Sequence, residues 1–314
     1  MKSAEQTEQG IVKDEIIEGL NRTPKTLPSK YFYDKRGSEL FEEICTLKEY
    51  YLTEAEISIM KNHIHEITDE MGTGLELIEF GSGSSLKTRL LLDHLQEVKA
   101  YVPIDISEDF LAKEAEKLER EYPDLKILPL ALDYSMPFEL PDEMQPYKKV
   151  IYFPGSTIGN FVPAAAKNFL KKCSKLAGSN GGLLIGVDTK KDPKVLEAAY
   201  NDSKGITAAF NKNILVRLNR ELDATFNPDW FEHRATYNHR EGRIEMHLVS
   251  LEQQDVTVAG TSFNFDKGEE ILTELSYKYS PEEFEKMASD FFELKIKWTG
   301  KDNLFGIYYL LAKD

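Results

Sequence analysis

Residues 75–88 read LELIEFGSGSSLKT, and the architecture of the chain can be predicted outward from them. An apolar run that ends at Phe80 breaks into a Gly-Ser-Gly turn at residues 81–83 and resumes as a leucine-rich segment with helical character. Strand, glycine turn and helix in this order open a nucleotide-binding α/β unit. Glycine lets the backbone approach a ligand without a Cβ in the way, and the N-terminus of the following helix offers N–H groups that have no partner within the helix.

The glycine pattern favours one class of nucleotide cofactor over another. Leu86 stands where the dinucleotide fingerprint GxGxxG has its third glycine, which disfavours a dinucleotide and a dehydrogenase and favours the shorter GxG turn of adenosyl cofactors. About half of such turns are only tight connections, so the motif alone is a weak signal. Asp105 strengthens it, because it ends the next predicted strand about 22 residues after Gly83, near the spacing of an acid that binds ribose hydroxyls. The alternative is that Asp105 caps the next helix.

Polar side chains follow two further predicted strands. Residues 126–132 are predicted to form a third strand that ends at Asp133, which either reaches the adenine amino group or caps a turn. Residues 150–153 form a buried strand followed by PGSTIGNF, in which Asn160 can donate to a carboxylate and accept from an amine, or serve as a helix cap or turn residue. Ligands of open parallel sheets bind at the carboxyl ends of strands, so a cofactor and its substrate are expected there.

Composition excludes several classes of protein. A chain of 314 residues with 41% hydrophobic and 30% charged residues is long enough for about two domains with a real core. The net charge of −15 argues against nucleic-acid binding. Cys45 and Cys173 have no CxxC spacing, and the six histidines show no metal-ligand spacing, so no metal site is expected. No apolar run approaches a membrane span and no signal peptide opens the chain, which predicts a cytoplasmic protein without a membrane partner.

The pattern changes on either side of the alternating strands and helices. Before them, three aromatic residues in a row, Tyr31-Phe32-Tyr33, precede a predicted helix, and Thr53-x-x-Glu56 reads as a capping box that opens another. After residue 188, residues 230–249 alternate with period two around a turn, which predicts an antiparallel hairpin. Two last strands are predicted near residues 294–298 and 304–312, the last one antiparallel.

Seven blocks of sequence, in order, resemble the histidine-specific methyltransferases, which make hercynine, the trimethylammonium betaine of histidine, on the route to ergothioneine. The blocks lie within residues 30–38, 49–56, 79–88, 154–161, 200–211, 243–246 and 273–279. The resemblance covers nearly the whole chain, and so many blocks make it far more specific than the GxG turn.

The resemblance implies a fold and its division into domains. The fold is α/β, with a Rossmann-like class I methyltransferase domain that has a mostly parallel sheet and an antiparallel last strand. This cofactor domain is expected to comprise residues 56–190 plus 278–314. A second, α+β domain that binds the substrate is expected to comprise residues 11–55 plus 191–277. A monomer is expected.

The resemblance also implies S-adenosyl-L-methionine as cofactor, S-adenosyl-L-homocysteine as product and L-histidine as the small-molecule substrate. Cofactor-binding positions are Gly81, Ser82, Gly83, Lys87, Asp105, Asp133 and Tyr134. Positions that hold the amino-acid carboxylate and amino group are Tyr50, Asn160 and Tyr200, although Tyr50 and Tyr51 are ambiguous by one residue. Met246 matches a residue that lines the side-chain pocket, Glu274 and Ser276 match the pair that hydrogen-bonds the imidazole, and Tyr33 matches a tyrosine on the amine side and is the catalytic candidate.

The Glu274-x-Ser276 spacing suits this role, because residues i and i+2 of a strand point to the same face. A carboxylate and a hydroxyl can serve the two distinct nitrogens of imidazole. Without the resemblance, Glu274 reads as a solvent-facing carboxylate and Met246 as plain core.

The implied reaction is an in-line displacement at the sulfonium methyl by the neutral amine, held ~3–3.5 Å away. No His, Asp or Glu is an obvious base for the amine, and the ring faces of Tyr33 or Tyr50 would favour the quaternary ammonium product. Two alternatives stay open. A methyltransferase for another amino acid, such as a tryptophan derivative, predicts loss of Glu274 and Ser276. A non-catalytic adenosylmethionine-binding module predicts loss of the GxG turn, Asp105 or the Asn160 loop.

Overall fold

The computed structural model describes residues 2–83, 85–136, 138, 140 and 147–313, with side chains from Gly10 onward in the first helix. The chain divides into two units. One comprises Met1–Tyr50 and Asp192–Ser276, and is called here the small-sheet unit. The other comprises Tyr51–Lys191 and Tyr277–Asp314, and is called the parallel-sheet unit.

The helices and strands of the described residues are numbered in chain order. The helices are α1 (Lys2–Asn21), α2 (Lys35–Cys45), α3 (Tyr51–Met71), α4 (Leu86–Leu92), α5 (Glu108–Glu121), α6 (Pro163–Ala177), α7 (Pro193–Tyr200), α8 (Ile206–Glu221) and α9 (Pro281–Ala288). The strands are β1 (Lys25–Thr26), β2 (Leu75–Phe80), β3 (Ala100–Asp105), β4 (Leu130–Ala131), β5 (Lys148–Phe153), β6 (Gly182–Asp188), β7 (Phe231–Asn238), β8 (Arg243–Ser250), β9 (Gln254–Val258), β10 (Thr261–Phe265), β11 (Glu270–Tyr277), β12 (Phe292–Thr299) and β13 (Phe305–Ala312).

Seven strands form the sheet of the parallel-sheet unit, in the order β12-β13-β6-β5-β2-β3-β4. The pairs between β6 and β4 are parallel, whereas β13 runs antiparallel to both of its neighbours. All positions of β2 and β6 are buried, as expected for central parallel strands covered on both faces. This order with an antiparallel β13 is the class I methyltransferase architecture, so the predicted fold class is confirmed.

The third predicted strand is much shorter than expected. Regular pairing with β3 covers only Leu130–Ala131, and Ile127 forms an isolated bridge with Tyr101. Pro129 lies between them and has no N–H group to donate to a ladder. The prediction of a strand over residues 126–132 was therefore wrong in extent.

Local sequence signals set several helix boundaries. Pro163, Pro193 and Pro281 lie in the first turn of α6, α7 and α9, where a missing N–H costs nothing. Ser280 and Glu283 form a capping box at the start of α9. The starts of α6, α7 and α9 are thus encoded by residues at the helix N-termini.

The small-sheet unit is built on a four-stranded sheet in the order β1-β11-β8-β7 and a separate β9-β10 hairpin. β7 and β8 pair antiparallel from Phe231 with Ser250 to Asn238 with Arg243, so the predicted hairpin is confirmed. In β8, buried and half-buried residues alternate strictly, which gives the sheet one face packed on α7 and α8. Among the described residues, no helix is long and apolar enough to cross a membrane.

Candidate active site

The glycine turn after β2 is shaped to face a ligand. Gly81 and Gly83 have φ values of +71° and +46°, and the Gly81 N–H donates to the carbonyl of Ile104 at 2.8 Å. Ser82 between them is buried, and its hydroxyl has no hydrogen-bond partner within the described residues. A buried hydroxyl without a partner is costly, so a ligand that bonds to it would be stabilising. The turn therefore fits the polar part of an adenosyl cofactor.

Asp105 joins the end of β3 to this turn. Its carboxylate accepts from the N–H of Gly83 at 3.2 Å and from the N–H of Ser107 at 3.0 Å. Burial raises the pKa of the Asp105 carboxyl, and these backbone hydrogen bonds oppose the rise. The N-cap of α5 is Ser107, so the alternative that Asp105 caps this helix is wrong, and its bond to the N–H of Ser107 orders the turn before the helix. The bond to Gly83 holds the carboxylate beside the glycine turn. A carboxylate has acceptor sites beyond these two, so the geometry also fits a ribose hydroxyl pair.

Tyr134 lies close to both predicted acids. Its ring packs 5.3 Å from that of Phe80 and 6.0 Å from that of Phe153. Burial raises the pKa of Tyr134, and the nearby charges of Asp105 and Asp133 raise it further. Asp133 accepts from the N–H and the hydroxyl of Ser135, so it also serves as a turn residue. The predicted cofactor positions at three strand ends thus meet at one edge of the sheet.

Lys87 has a buried partner that sequence reasoning missed. Its Nζ lies 2.5 Å from the carboxylate of Glu56, which is completely buried and also accepts from the N–H of Gly155 at 2.9 and 3.1 Å. The prediction of a capping box at Thr53 was wrong, because α3 already begins at Tyr51 and Glu56 lies within it. The missed signal is that Glu56 occupies one position of an apolar stripe with spacing of four, Leu52-x₃-Glu56-x₃-Met60.

Glu79, at the end of β2, is a second buried carboxyl beside the turn. It accepts at 2.5 Å from the hydroxyls of Thr88 and Tyr101. Burial raises its pKa to about 7, although these hydrogen bonds and the charge of Lys87 oppose the rise. The sequence feature that could have indicated this role is an acidic residue within a strand expected to be buried on both faces.

The loop after β5 presents Asn160. Gly155 and Ser156 have positive φ values of 75° and 58°, and residues Thr157–Asn160 form a 3-10 turn. Val162 is the N-cap of α6, so Asn160 is neither a helix cap nor a left-handed turn residue. Within the described part of the chain its amide makes no hydrogen bond. The amide can therefore serve a ligand at the carboxyl end of β5.

The small-sheet unit brings a group of tyrosines together. The ring of Tyr50 lies 6.1 Å from that of Tyr200 and 6.3 Å from that of Phe41. Tyr33 packs edge-on against Phe41 and Phe210, with ring centroids 5.6 Å apart in each case. Burial raises the pKa of Tyr50 well above its usual range, and the nearby Tyr200, Tyr33 and Glu274 add to the rise.

The predicted imidazole pair lies beside this group. The hydroxyl of Tyr200 donates to Oγ of Ser276 at 2.9 Å, and both side chains are buried. Glu274 is half-buried and lies two residues before Ser276 on β11, so both face the same side of the strand. Met246 is buried in β8, and its carbonyl accepts from the Thr273 hydroxyl at 3.1 Å. The arrangement offers a carboxylate and a hydroxyl next to a tyrosine cluster.

A sequence model described as histidine-specific methyltransferase, SAM-dependent, matches residues 12–312. The chain belongs to this family. A histidine N-alpha-methyltransferase of Mycobacterium tuberculosis is 38% identical over 303 residues, which cover 94% of this chain and 93% of the relative. The enzyme of the same name from Mycolicibacterium smegmatis is 37% identical, with 94% and 93% covered. A 4-dimethylallyltryptophan N-methyltransferase of Aspergillus fumigatus is 25% identical, with 96% and 94% covered.

The predicted site residues of this family member are divided between the two units. Gly81, Ser82, Gly83, Lys87, Asp105, Asp133, Tyr134 and Asn160 lie in the parallel-sheet unit, whereas Tyr33, Tyr50, Tyr200, Met246, Glu274 and Ser276 lie in the small-sheet unit. Asn160 therefore belongs to a different unit from the other positions expected to hold the amino acid.

Tyr50 and Tyr51 have different surroundings in this methyltransferase. Tyr51 begins α3, and its hydroxyl donates to both carboxylate oxygens of the buried Asp188 at 2.8 Å. Tyr50 lies with Tyr200 and Glu274 instead. Tyr50, and not Tyr51, therefore lies with the other residues predicted to bind the substrate, and its role as a ligand stays a prediction.

Proposed function

We propose that this protein transfers methyl groups from S-adenosylmethionine to the α-amino group of L-histidine and yields hercynine after three transfers. The observation that carries the proposal is the group formed by Tyr200, Ser276 and Glu274, with a buried hydrogen bond of 2.9 Å between the first two. It offers one acceptor-only carboxylate and one hydroxyl on the same face of a strand.

Imidazole has one N–H donor and one acceptor nitrogen, so it needs an acceptor and a donor at a fixed separation. Glu274 would accept from the ring N–H, and the Ser276 hydroxyl would serve the other nitrogen. The hydrogen bond from Tyr200 holds Ser276 in place. An indole ring has only a donor and would leave one of these two groups unpaired.

The parallel-sheet unit would hold the cofactor through its turn and its acids. Asp105 would accept from the ribose hydroxyls, Ser82 would bond through its buried hydroxyl, and Lys87 would face the methionyl carboxylate. The cofactor supplies an electrophilic methyl group on a sulfonium. The protein's contribution is the fixed orientation of these polar groups.

The tyrosines bear on two properties of the amine, its deprotonation and the positive charge that it gains on methylation. Because burial raises its pKa, Tyr50 stays a neutral phenol and cannot be the base that deprotonates the amine at neutral pH. The histidine amine would therefore lose its proton to solvent before it binds, or to a water next to Tyr33, the predicted catalytic residue. The ring faces of Tyr33 and Tyr50 would then stabilise the quaternary ammonium that forms.

A second candidate is N-methylation of a tryptophan derivative, which is what the Aspergillus fumigatus relative is named for. Mass spectrometry separates the two. The purified protein and S-adenosylmethionine would be offered each standard amino acid and 4-dimethylallyltryptophan separately. We expect three methyl groups on histidine and none on the other compounds. Turnover of the tryptophan derivative instead of histidine would refute the proposal. The cytoplasmic location and monomeric state expected from the sequence stay predictions.

A further inference from the structure

A set of polar residues, all of them buried except the half-buried His233, bonds to the backbone and strand that carry the proposed histidine-binding group, and the proposed mechanism does not use it. Asn211 of α8 is completely buried, and Thr273 of β11 is almost so. Asn211 Nδ2 lies 2.9 Å from Nδ1 of His233, and Asn211 Oδ1 accepts from the Thr273 hydroxyl at 2.7 Å. Nε2 of His233 lies 2.8 Å from the carbonyl oxygen of Tyr200. Tyr200, His233, Asn211 and Thr273 are called here the Asn211 network.

One chemical fact fixes the direction of every hydrogen bond in this network. A carbonyl oxygen only accepts, so Nε2 of His233 must carry the proton that faces Tyr200. Nδ1 of the neutral ring is then an acceptor, and Asn211 must turn its NH₂ group towards it. That orientation also lets Nδ2 donate to the carbonyl of His247 at 3.1 Å and leaves Oδ1 to accept from Thr273. The network has a single consistent arrangement of protons.

The Asn211 network connects at two places to residues proposed to bind the substrate. Tyr200, whose backbone it holds, donates its hydroxyl to Ser276. Thr273 directly precedes Glu274 on β11, and its hydroxyl also lies 3.1 Å from the carbonyl of Met246. Adjacent strand residues point to opposite faces, so a fixed Thr273 side chain fixes the orientation in which β11 presents Glu274.

We propose that Asn211 and His233 are positioning residues for substrate recognition, which orient Tyr200 and Glu274 so that the site accepts the imidazole of histidine. This inference rests on the proposed function. Neither residue touches the substrate. They act by holding α7 and β11 in register with α8, because polar groups that are buried and satisfied resist displacement.

Kinetics with three variants test the positioning role. Thr273→Val keeps the shape of the side chain but removes the donor to Asn211. We expect its KM for histidine to rise about tenfold, with a smaller change in kcat and an unchanged Kd for S-adenosylmethionine. Thr273→Ser retains the hydroxyl and should restore the wild-type KM. Asn219→Ala is the matched control, because Asn219 is also on α8 and bonds to the backbone of Phe226 at 2.7 and 2.9 Å, outside the network.

Nitrogen NMR of the histidine rings tests the proton arrangement without any assay of activity. We expect His233 to be neutral with its proton on Nε2, its signals being assigned by their loss in His233→Gln. Asn211→Asp places an acceptor against Nδ1, so it should protonate His233. Burial lowers the pKa of His233 in the native protein, Asp202 and Glu232 oppose this effect, and Lys212 adds to it.

Each result has a definite meaning. An unchanged KM in Thr273→Val, an equal loss in Asn219→Ala, or an equal loss of cofactor affinity would overturn the positioning role. A proton on Nδ1 in the native protein would overturn the network, even in an active enzyme. Failure of the wild-type protein to methylate histidine would refute the proposed function instead. The NMR result would still show whether the Asn211 network has the proton arrangement described above.

Discussion

Replacement of Glu56 by glutamine should weaken cofactor binding although Glu56 itself is buried beneath the site. Its carboxylate holds Lys87 at 2.5 Å and the N–H of Gly155 at 2.9 Å. Both contacts use the same oxygen, Oε2, whereas Oε1 lies 3.1 Å from the N–H of Gly155. In Glu56→Gln an amide oxygen at the Oε2 position can keep both contacts, but it carries no negative charge to pair with the ammonium of Lys87. The variant therefore loses the ion pair between Glu56 and Lys87, and we expect this loss to cost about 1.5–3 kcal/mol.

The side chain of Lys87 is 19% exposed, so it can turn towards water once its ion pair with Glu56 is gone. The lost energy should then appear as a rise of about 10–100-fold in the Kd of S-adenosylmethionine, measured by calorimetry. Histidine affinity of the variant, measured at saturating cofactor, should stay near the wild-type value, because the amide oxygen can still accept from the N–H of Gly155 and hold the loop that carries Asn160.

A double-mutant cycle isolates this contact. Lys87→Met alone leaves a buried carboxylate without its cation and should lower the free energy of unfolding by about 3–5 kcal/mol. The double variant with Glu56→Gln should regain part of that loss, with a coupling energy on the order of 2 kcal/mol. Additive losses, or an unchanged cofactor Kd in Glu56→Gln, would refute the reasoning. Asp290→Asn, which removes the exposed partner of Lys167, is the control and should alter neither quantity.

Three further sets of experiments test the remaining roles. Glu274→Ala should raise the KM for histidine at least about tenfold with little change in cofactor affinity. Asp105→Ala should weaken cofactor binding with little change in the KM for histidine. Equal losses for both ligands, in steady-state kinetics and calorimetry, would contradict these roles. Tyr50→Phe should raise the KM for histidine, whereas Tyr51→Phe should lower thermal stability, and the opposite result would exchange the two tyrosines. For Glu79, whose pKa is raised from 4.5 to about 7, the folded protein binds a proton between these pH values that the unfolded chain has released. Stability should therefore fall by about 3 kcal/mol as the pH rises across this window, in urea titrations of the wild type but not of Glu79→Gln.

Much of the parallel-sheet unit follows from local pattern. β2 and β3 were predicted with their observed ends, because continuous apolar runs stop at a glycine turn and at an acid. β4 was predicted too long, because the one residue that interrupts its ladder, Pro129, lies within an otherwise apolar run. The hairpin of β7 and β8 was visible as alternation, since one of its faces is buried and the other is not.

The site residues differ in how far the sequence revealed their roles. Asp105 and Asn160 could be proposed from position alone, because they follow strand ends, whereas Glu274 and Ser276 required the family resemblance. Glu56 and Asn211 could not be assigned roles by either route. Their partners lie far away in sequence: Gly155 is 99 residues from Glu56, and Thr273 is 62 residues from Asn211.

The sequence by itself determined the alternation of strands and helices, the glycine turn and the family, because these depend on neighbouring residues and on ordered blocks of motif. Only the tertiary structure decided which polar residues are buried and what they bond to. The free energy of a buried carboxylate or amide depends on partners brought together by the fold. That is why Glu56, Glu79 and Asn211 read as ordinary helix and strand residues until their surroundings are known.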